Sequence, residues 1–95
     1  MGHLTFKQVA EKLANSPTET THQGGNHKLC IRGNTRIYTF YDKVVCMEDR
    51  TTQTYLIPTG PDPFRTVKRL RGVYDEYFGV RGYHKASTWK ELELA

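Results

Sequence analysis

Histidine and cysteine side chains are the first candidates for chemistry in this 95-residue sequence. His22 and His27 flank a glycine pair, and Cys30 follows three positions later, which suggests a metal-binding set. However, the spacing matches no standard zinc pattern and a fourth ligand is missing. The segment that begins at Gly24-Gly25 is not a phosphate-binding loop either, because it lacks the later glycine of that motif and its Lys-Ser/Thr ending. The sequence therefore predicts neither a metal site nor a cofactor.

Nucleophilic catalysis needs a cysteine or serine, a histidine and an acid that converge in a cleft. Cys30 or Cys46 with His27 or His84 supplies the residue types, but no spacing brings them together. Both cysteines fall in strand-like segments, where a buried thiol is usually inert. We therefore expect that the protein is not an enzyme and that its functional residues bind a partner.

Cations on one face of a helix are stronger candidates. Projection of residues 63–78 at about 100° per residue places Arg65, Lys68 and Arg69 together, opposite the apolar side. The acidic residues of this helix follow in its last turns, which is the reverse of what the helix macrodipole favours. The cationic stripe is either an ordinary solvated face or a contact for the phosphates or carboxylates of a partner.

A half-apolar face of the predicted sheet is the second candidate surface, with Tyr41 and Tyr55 expected near Arg32. Tyr and Arg are enriched at the energetic hot spots of protein interfaces, and aromatic rings on an open sheet also stack on bases. Alternatively, the N-terminal helix or the C-terminal tail covers this face, or the face forms a homodimer. The predicted partner-binding residues are Arg32, Tyr41, Tyr55, Arg65, Lys68 and Arg69.

Local signals place a helix near each end of the chain. Thr5, with Gln8 three residues later, forms a capping box for a helix over 5–14. The polar segment 17–26 is expected to be a surface loop. The first helix is therefore not part of a helix-turn-helix, since that motif needs a recognition helix a few residues later. A second capping box over 88–91 predicts a short C-terminal helix.

Segments rich in β-branched and aromatic residues predict an antiparallel meander between the helices. The predicted strands are 28–32, 35–41, 43–48 and 53–57. Gly33-Asn34 suits a two-residue hairpin turn, because glycine supplies the positive φ that primed turns require. This turn pairs Arg32 with Thr35 and Leu29 with Tyr38.

A second turn at Asp42-Lys43 pairs Tyr38 with Met47 and sorts the side chains onto two faces. The predicted core face carries Leu29, Ile31, Tyr38, Phe40, Val45, Met47 and Leu56. The predicted mixed face carries Cys30, Arg32, Ile37, Thr39, Tyr41, Val44, Cys46, Tyr55 and Ile57. Cys30 and Cys46 then share a face at roughly 10 Å, two strand spacings, which is too far for a disulfide.

The segment 63–78 is the strongest helix prediction, with Asp62 as N-cap, Pro63 at the first position and Gly79 beyond the end. Its apolar side, expected to pack on the meander, carries Phe64, Val67, Leu70, Tyr74, Tyr77 and Phe78. The predicted fold class is α+β: a three- to four-stranded antiparallel β-meander packed against a basic amphipathic helix, with short N- and C-terminal helices.

The length of the chain predicts a single domain over 1–95. Its net charge of +4 at pH 7 favours an acidic partner such as nucleic acid or an acidic protein face. No apolar stretch approaches the roughly 18 residues of a membrane span, and the N-terminus lacks the layout of a signal peptide. We therefore expect a cytoplasmic protein without a membrane partner.

The order of a short capped helix, a tight Gly-Asn meander (HKLCIRGNTRIYTFYDKVVCMED) and a basic helix resembles the layout of small phage-encoded accessory proteins. These include the anti-CRISPR inhibitors of bacterial defence systems. The resemblance covers the layout of most of the chain and carries over no functional residue. It implies a protein that occludes the surface of a partner, often one built to hold nucleic acid. The basic charge departs from the many such inhibitors that mimic DNA with acidic surfaces.

The first functional interpretation is a non-enzymatic binding protein that docks on and inhibits a macromolecular partner. This partner is expected to be a protein or protein–nucleic-acid complex, namely a host nucleic-acid-processing or defence complex. The alternative is a small nucleic-acid-binding module that places its cationic helix on phosphates.

Overall fold

The part of the chain that the structure describes has an α+β fold in which two helices pack on one sheet. The computed structural model describes residues 3–59 and 64–88. In this part of the chain the elements are α1 (Phe6–Ala14), β1 (Thr20–His22), β2 (His27–Arg32), β3 (Thr35–Phe40), β4 (Lys43–Asp49), β5 (Thr54–Leu56), α2 (Arg65–Val80) and β6 (His84–Ala86). The sheet has the order β1-β2-β3-β4-β5-β6. Strands β1 to β5 form an antiparallel meander, and β6 returns parallel to β5 after α2.

The sheet has more strands than the three to four that the sequence predicts. Strand β1 lies in the polar segment expected to be a loop, and β6 lies between α2 and the C-terminal tail. Each contains three residues and is mostly polar, so neither shows the apolar alternation that marks a strand in sequence. Both are strands because they pair with a neighbouring strand. The predicted C-terminal helix lies outside the described residues, apart from Thr88.

The N-terminal helix α1 begins as predicted. The hydroxyl of Thr5 accepts a hydrogen bond from the backbone N–H of Gln8 at 3.2 Å, and the side chain of Gln8 accepts one from the N–H of Thr5 at 2.9 Å. These two bonds satisfy N–H groups that have no partner inside the helix, and they confirm the capping box. The side of α1 that faces the protein interior carries Val9, Ala10, Leu13 and Ala14.

The β2–β3 hairpin also has its predicted register. Gly33 adopts a φ of 61°, and Arg32 pairs with Thr35 while Leu29 pairs with Tyr38. The turn is predictable because its geometry depends on one residue without a Cβ.

The β3–β4 turn lies one residue earlier than predicted. Its central residues are Tyr41 and Asp42, flanked by the pair Phe40 and Lys43. Both central residues have positive φ, 48° and 66°, as a type I′ turn requires. Tyrosine is a poor residue for this conformation, since its Cβ crowds the backbone there. The sequence therefore carries no local signal for the turn at this position.

A β-bulge follows this turn and changes the register again. Thr39 pairs with Val44, but Tyr38 pairs with Cys46, so that Val45 lies between them without a partner on β3. A bulge of this kind places one extra residue on one strand and increases the local twist. The predicted pairing of Tyr38 with Met47 is wrong by one residue.

Relative to the prediction, the bulge exchanges the two faces of β4 from Cys46 onward and of β5. Cys46 and Tyr55 belong to the main core, whereas Met47 and Leu56 contact each other in a small cluster on the opposite face. The two cysteines are free, as expected. They do not share a face, however. Cys30 pairs with Ile37, and Ile37 pairs with Met47, so Cys30 lies on the face of Met47 and not on that of Cys46. The predicted positions of Leu29, Ile31, Tyr38, Phe40 and Val45 on the core side are confirmed.

The second helix packs its apolar side on the sheet and on α1. It spans Arg65–Val80, with Phe64 as N-cap, while residues 62 and 63 lie outside the described part. Gly79 is within the helix, and Gly82 follows its end with a φ of 79°. The buried residues of α2 are Val67, Leu70, Tyr74, Tyr77 and Phe78, as predicted. Neither helix of the described chain has the length and apolar character to cross a membrane.

Candidate aromatic–cationic cleft

A cleft of about 550 Å³ lies between the β3–β4 turn and the beginning of α2. We name it the aromatic–cationic cleft. Its lining residues are Phe40, Tyr41, Lys43, Phe64, Arg65, Thr66 and Val67. The two walls come from distant parts of the sequence, and they meet because α2 packs across β4 in the core. The cleft combines aromatic rings with cations, whereas the predicted stripe and mixed face were two separate surfaces.

Two aromatic side chains are exposed at this cleft to an unusual degree. Tyr41 is 63% exposed and Phe64 is 53% exposed. Phe40 lies half-buried behind Tyr41, in an edge-to-face contact with ring centroids 4.6 Å apart. The ring of Phe40 contacts His27 on its other side, at 4.9 Å. The ring of Tyr41 is therefore in contact with a neighbouring ring while most of Tyr41 stays open to solvent.

The turn that carries Tyr41 keeps an unfavourable backbone conformation. Non-glycine residues with positive φ are uncommon, and they concentrate at functional sites. The N–H of Tyr41 donates a 3.0 Å hydrogen bond to the carbonyl of Asn26, and Asp42 forms a 3.5 Å ion pair with Lys28. Both contacts join the turn to the neighbouring strand pair. The fold therefore holds Tyr41 in place at a local energetic cost.

The cations at the cleft come from both walls. Lys43 extends from the start of β4 and Arg65 from the first turn of α2. Lys68 lies three residues after Arg65, which places it on the same side of the helix. The first turn of α2 has no acidic residue. The cleft therefore favours a negatively charged ligand.

Two further arginines of α2 make contacts within the protein. Arg69 is exposed, and its guanidinium carbon lies 5.3 Å from the ring centre of Phe6 on α1. Arg71 donates a 3.1 Å hydrogen bond to the carbonyl of Val44, just after the β3–β4 turn. This bond joins α2 to the opposite wall of the cleft. Arg71 thus helps to set the width of the cleft.

The structure brings together some of the predicted site residues and separates others. Arg65 and Tyr41 line the same cleft, and the exposed residues Lys68 and Arg69 continue from it along α2. Arg32 lies at the other end of the sheet, beside the β2–β3 turn, where it forms a 3.1 Å ion pair with Glu19. It is not part of the cleft.

Tyr55 lies in the protein interior, because the register shift turns it towards α2. Its side chain is 4% exposed, and its hydroxyl donates a 2.6 Å hydrogen bond to Asp75. This bond is the main cause of a lowered pKa of Asp75, and Lys85 contributes through a 3.2 Å ion pair. The acidic residue near the end of α2 therefore has a structural role. The expectation that Tyr55 shares an open face with Tyr41 is wrong.

Sequence reasoning missed Lys43 and Phe64 as candidate site residues. Helical periodicity places Phe64 on the buried side of the helix, but Phe64 precedes the first helical turn and is 53% exposed. Lys43 was assigned to the predicted turn, and the shift of that turn places it in the cleft. The sequence held no local signal for Lys43, because Tyr-Asp is a poor hairpin turn, and Phe64 fits the apolar periodicity of the helix.

A second polar cluster, also missed, surrounds Glu48 in the core. Glu48 is fully buried, and its Oε1 accepts a 2.5 Å hydrogen bond from the hydroxyl of Tyr38. Its Oε2 accepts bonds from the hydroxyl of Tyr83 at 2.8 Å and from Arg50 Nε at 3.2 Å. Burial and the bond to Glu48 raise the pKa of Tyr83 to about 12. Because each carboxylate oxygen is engaged, we interpret Glu48 as a structural hub.

The histidines and cysteines do not form a reactive set. His27 is buried between Phe6 and Phe40, and burial lowers its pKa. Cys46 is completely buried, which raises the pKa of its thiol. Among residues 3–59 and 64–88, no group of three or more His, Cys, Asp or Glu side chains is arranged to hold a metal ion.

A scan against protein-family models, a search of curated proteins and a search of solved structures each found no match to this chain.

Proposed function

We propose that this protein is a non-enzymatic binding protein that engages nucleic acid through the aromatic–cationic cleft, alone or within a nucleic-acid-processing complex. The observation that supports the proposal is the joint presence of two exposed aromatic rings and two cations in one cleft. Exposed apolar rings that lie together at one concave site are typical of a ligand-binding groove, and a ligand that suits Lys43 and Arg65 is anionic.

Nucleic acid satisfies both requirements of the cleft. Its phosphates pair with lysine and arginine side chains, and its bases present flat faces to aromatic rings. The net charge of +4 supports the attraction at longer range. The sequence already offers a nucleic-acid-binding module with a cationic helix as one alternative. The β3–β4 turn adds the second wall of the binding site to it.

The proposal is tested by titrating fluorescently labelled single-stranded and double-stranded DNA and RNA into the protein at two salt concentrations. We expect binding that weakens as salt increases, since cations release counterions from the phosphates. Arg65→Glu should weaken binding by at least tenfold. Lys12→Glu is the matched control, because it makes the same charge change on an exposed position of α1 outside the cleft. A wild-type protein that binds no nucleic acid at low salt contradicts the proposal.

A second candidate function uses the same residues on a protein partner. Tyr and Arg side chains such as Tyr41 and Arg65 are frequent hot spots of protein interfaces. The protein would then occlude and inhibit a host nucleic-acid-processing or defence complex, in line with the phage-like layout of the chain. A pull-down from a bacterial lysate with wild type, Arg65→Glu and Lys12→Glu distinguishes this function. A partner retained by the control and lost by Arg65→Glu, without nucleic-acid binding, favours it. The homodimer stays a prediction, which sedimentation analysis would check.

A further inference from the structure

We infer that the ligand of the aromatic–cationic cleft is a single-stranded nucleic acid, with an unpaired base held against Tyr41 and Phe64. This inference rests on the proposed function and names the form of nucleic acid that the cleft selects. It depends on the shape of the site as well as on its charge.

The aromatic rings distinguish a single strand from a duplex. In a duplex each base is covered above and below by its neighbours, so that only base edges are reachable from the grooves. An unpaired base exposes its faces, which stack on Tyr or Phe rings. Tyr41 and Phe64 expose their rings at a concave site, where a duplex, with its bases stacked on one another, offers no base face to them.

The cations are arranged to hold the backbone on each side of such a base. Lys43 lies on the wall that carries Tyr41, and Arg65 lies on the wall that carries Phe64. A base between the walls therefore has one cation near each flanking phosphate. Lys68, on the next turn of α2, extends the positive surface along the path of the strand.

The protein also holds the two walls in position before a ligand arrives. The hydrogen bond from Arg71 to the Val44 carbonyl joins them, and the edge-to-face contact of Phe40 supports the ring of Tyr41. The turn itself places the ring of Tyr41 at the cleft. The residues that best suit such a turn, asparagine and glycine, have no ring, so the strained backbone of Tyr41 accompanies the presence of an aromatic side chain here. A preformed site loses less conformational entropy on binding, which favours affinity.

The test compares three labelled DNA ligands of ten residues: an oligothymidine, an abasic strand with the same number of phosphates, and a duplex. Fluorescence anisotropy is measured for wild type, Tyr41→Asn and Phe64→Leu. We expect wild type to bind the oligothymidine between about 5-fold and 150-fold more tightly than the abasic strand, the range for stacking of one base. Each variant should lose most of this difference and keep its affinity for the abasic strand.

The two variants are chosen so that they fold. Asparagine is favoured in the turn that Tyr41 occupies, and leucine at position 64 keeps an apolar side chain of similar size without a ring. Circular dichroism and thermal unfolding confirm the fold of each.

The possible outcomes separate the inference from the proposed function. Equal binding of all three ligands, unchanged in Tyr41→Asn and Phe64→Leu, overturns the inference and leaves phosphate binding intact. An absence of binding to every ligand overturns both. Preference for the oligothymidine that depends on both rings supports both.

Discussion

Arg36 and Glu48 face each other on adjacent strands β3 and β4, with Arg36 Nε 3.5 Å from the carboxylate of Glu48, and both are almost completely buried. The same guanidinium donates hydrogen bonds to the carbonyls of Leu13 at 2.9 Å and Ser16 at 2.7 Å, at the end of α1. This pair therefore connects the helix to the centre of the sheet.

Removal of the carboxylate of Glu48 should destabilise the fold strongly. In Glu48→Leu the charge of Arg36 stays buried without its partner, which typically costs about 3–5 kcal/mol. The free energy of unfolding is measured by urea denaturation. Glu76→Leu, on the exposed side of α2, is the control and should change it by less than about 1 kcal/mol. In the double variant Arg36→Met with Glu48→Leu, part of the loss should be recovered. A small effect of Glu48→Leu alone would contradict the structural role of this pair.

Tyr41→Asn should stabilise the protein and weaken ligand binding. Asparagine tolerates the positive φ of this turn position better than tyrosine, so that we expect a gain of about 1 kcal/mol in the free energy of unfolding. The loss of the ring should reduce the affinity for single strands. Asp42→Gly is the control, because it relieves the neighbouring turn residue and keeps Tyr41. A Tyr41→Asn variant that binds as wild type does would show that the ring has no part in recognition.

The salt dependence of binding should report the number of cations at the cleft. If Lys43, Arg65 and Lys68 each contact a phosphate of a single strand, the slope of log K against log salt is about −2. Arg65→Gln should make this slope shallower by about 0.7. Anisotropy titrations at four or more salt concentrations measure it. Lys12→Gln, outside the cleft, should leave the slope unchanged, and an equal change in both variants would assign the effect to net charge alone.

Stability should decrease in mildly acidic solution because of His27. Burial is the main cause of its lowered pKa, and His22 contributes a smaller repulsion. The unfolded chain takes up a proton near the usual value of 6.5, before the folded protein does. Folding is therefore progressively disfavoured as pH falls from about 6.5 to the lower pKa of the folded state, and the contribution is constant above that window.

Urea midpoints between pH 5 and pH 8 test this expectation. His27→Gln should lose this part of the pH dependence, although its stability at neutral pH should also be lower because it packs less well against Phe6 and Phe40. His22→Gln, on the edge strand β1, should retain most of the pH dependence. The same pH dependence in wild type and His27→Gln would assign it to other groups.

The two thiols should differ in reactivity. Cys46 is fully buried and burial raises its thiol pKa, whereas Cys30 is half-buried on the opposite face of the sheet. Because the thiolate is the reactive form, a disulfide-exchange reagent should modify one thiol quickly in the native protein and the second only on unfolding. Cys30→Ser should remove the fast reaction. A fast reaction at Cys46 would contradict its burial in the core, which follows from the bulge in β4.

Features of the fold that depend on neighbouring residues could be predicted from the sequence. The Thr5 capping box is one example, because the hydroxyl of Thr5 and the backbone N–H of Gln8 are only three residues apart. The Gly33 turn is another, because glycine has no Cβ and adopts the positive φ that the turn needs. The buried side of α2 is a third, because helical periodicity shows which side chains share a face. The edge strands β1 and β6 could not be predicted, since their few polar residues are ordered by pairing with other strands.

The candidate site divides in the same way. By itself the sequence determined that the helix has a cationic side and that Tyr41 and Arg65 are candidate contact residues. Only the tertiary structure decided that these residues line one cleft, that Phe64 and Lys43 belong with them, and that Tyr55 is in the core. The physical reason is that successive strand residues face opposite sides of the sheet, so the single extra residue of the bulge at Val45 reassigns the faces of everything that follows it on β4 and β5. No local pattern in the sequence marks the position of that bulge.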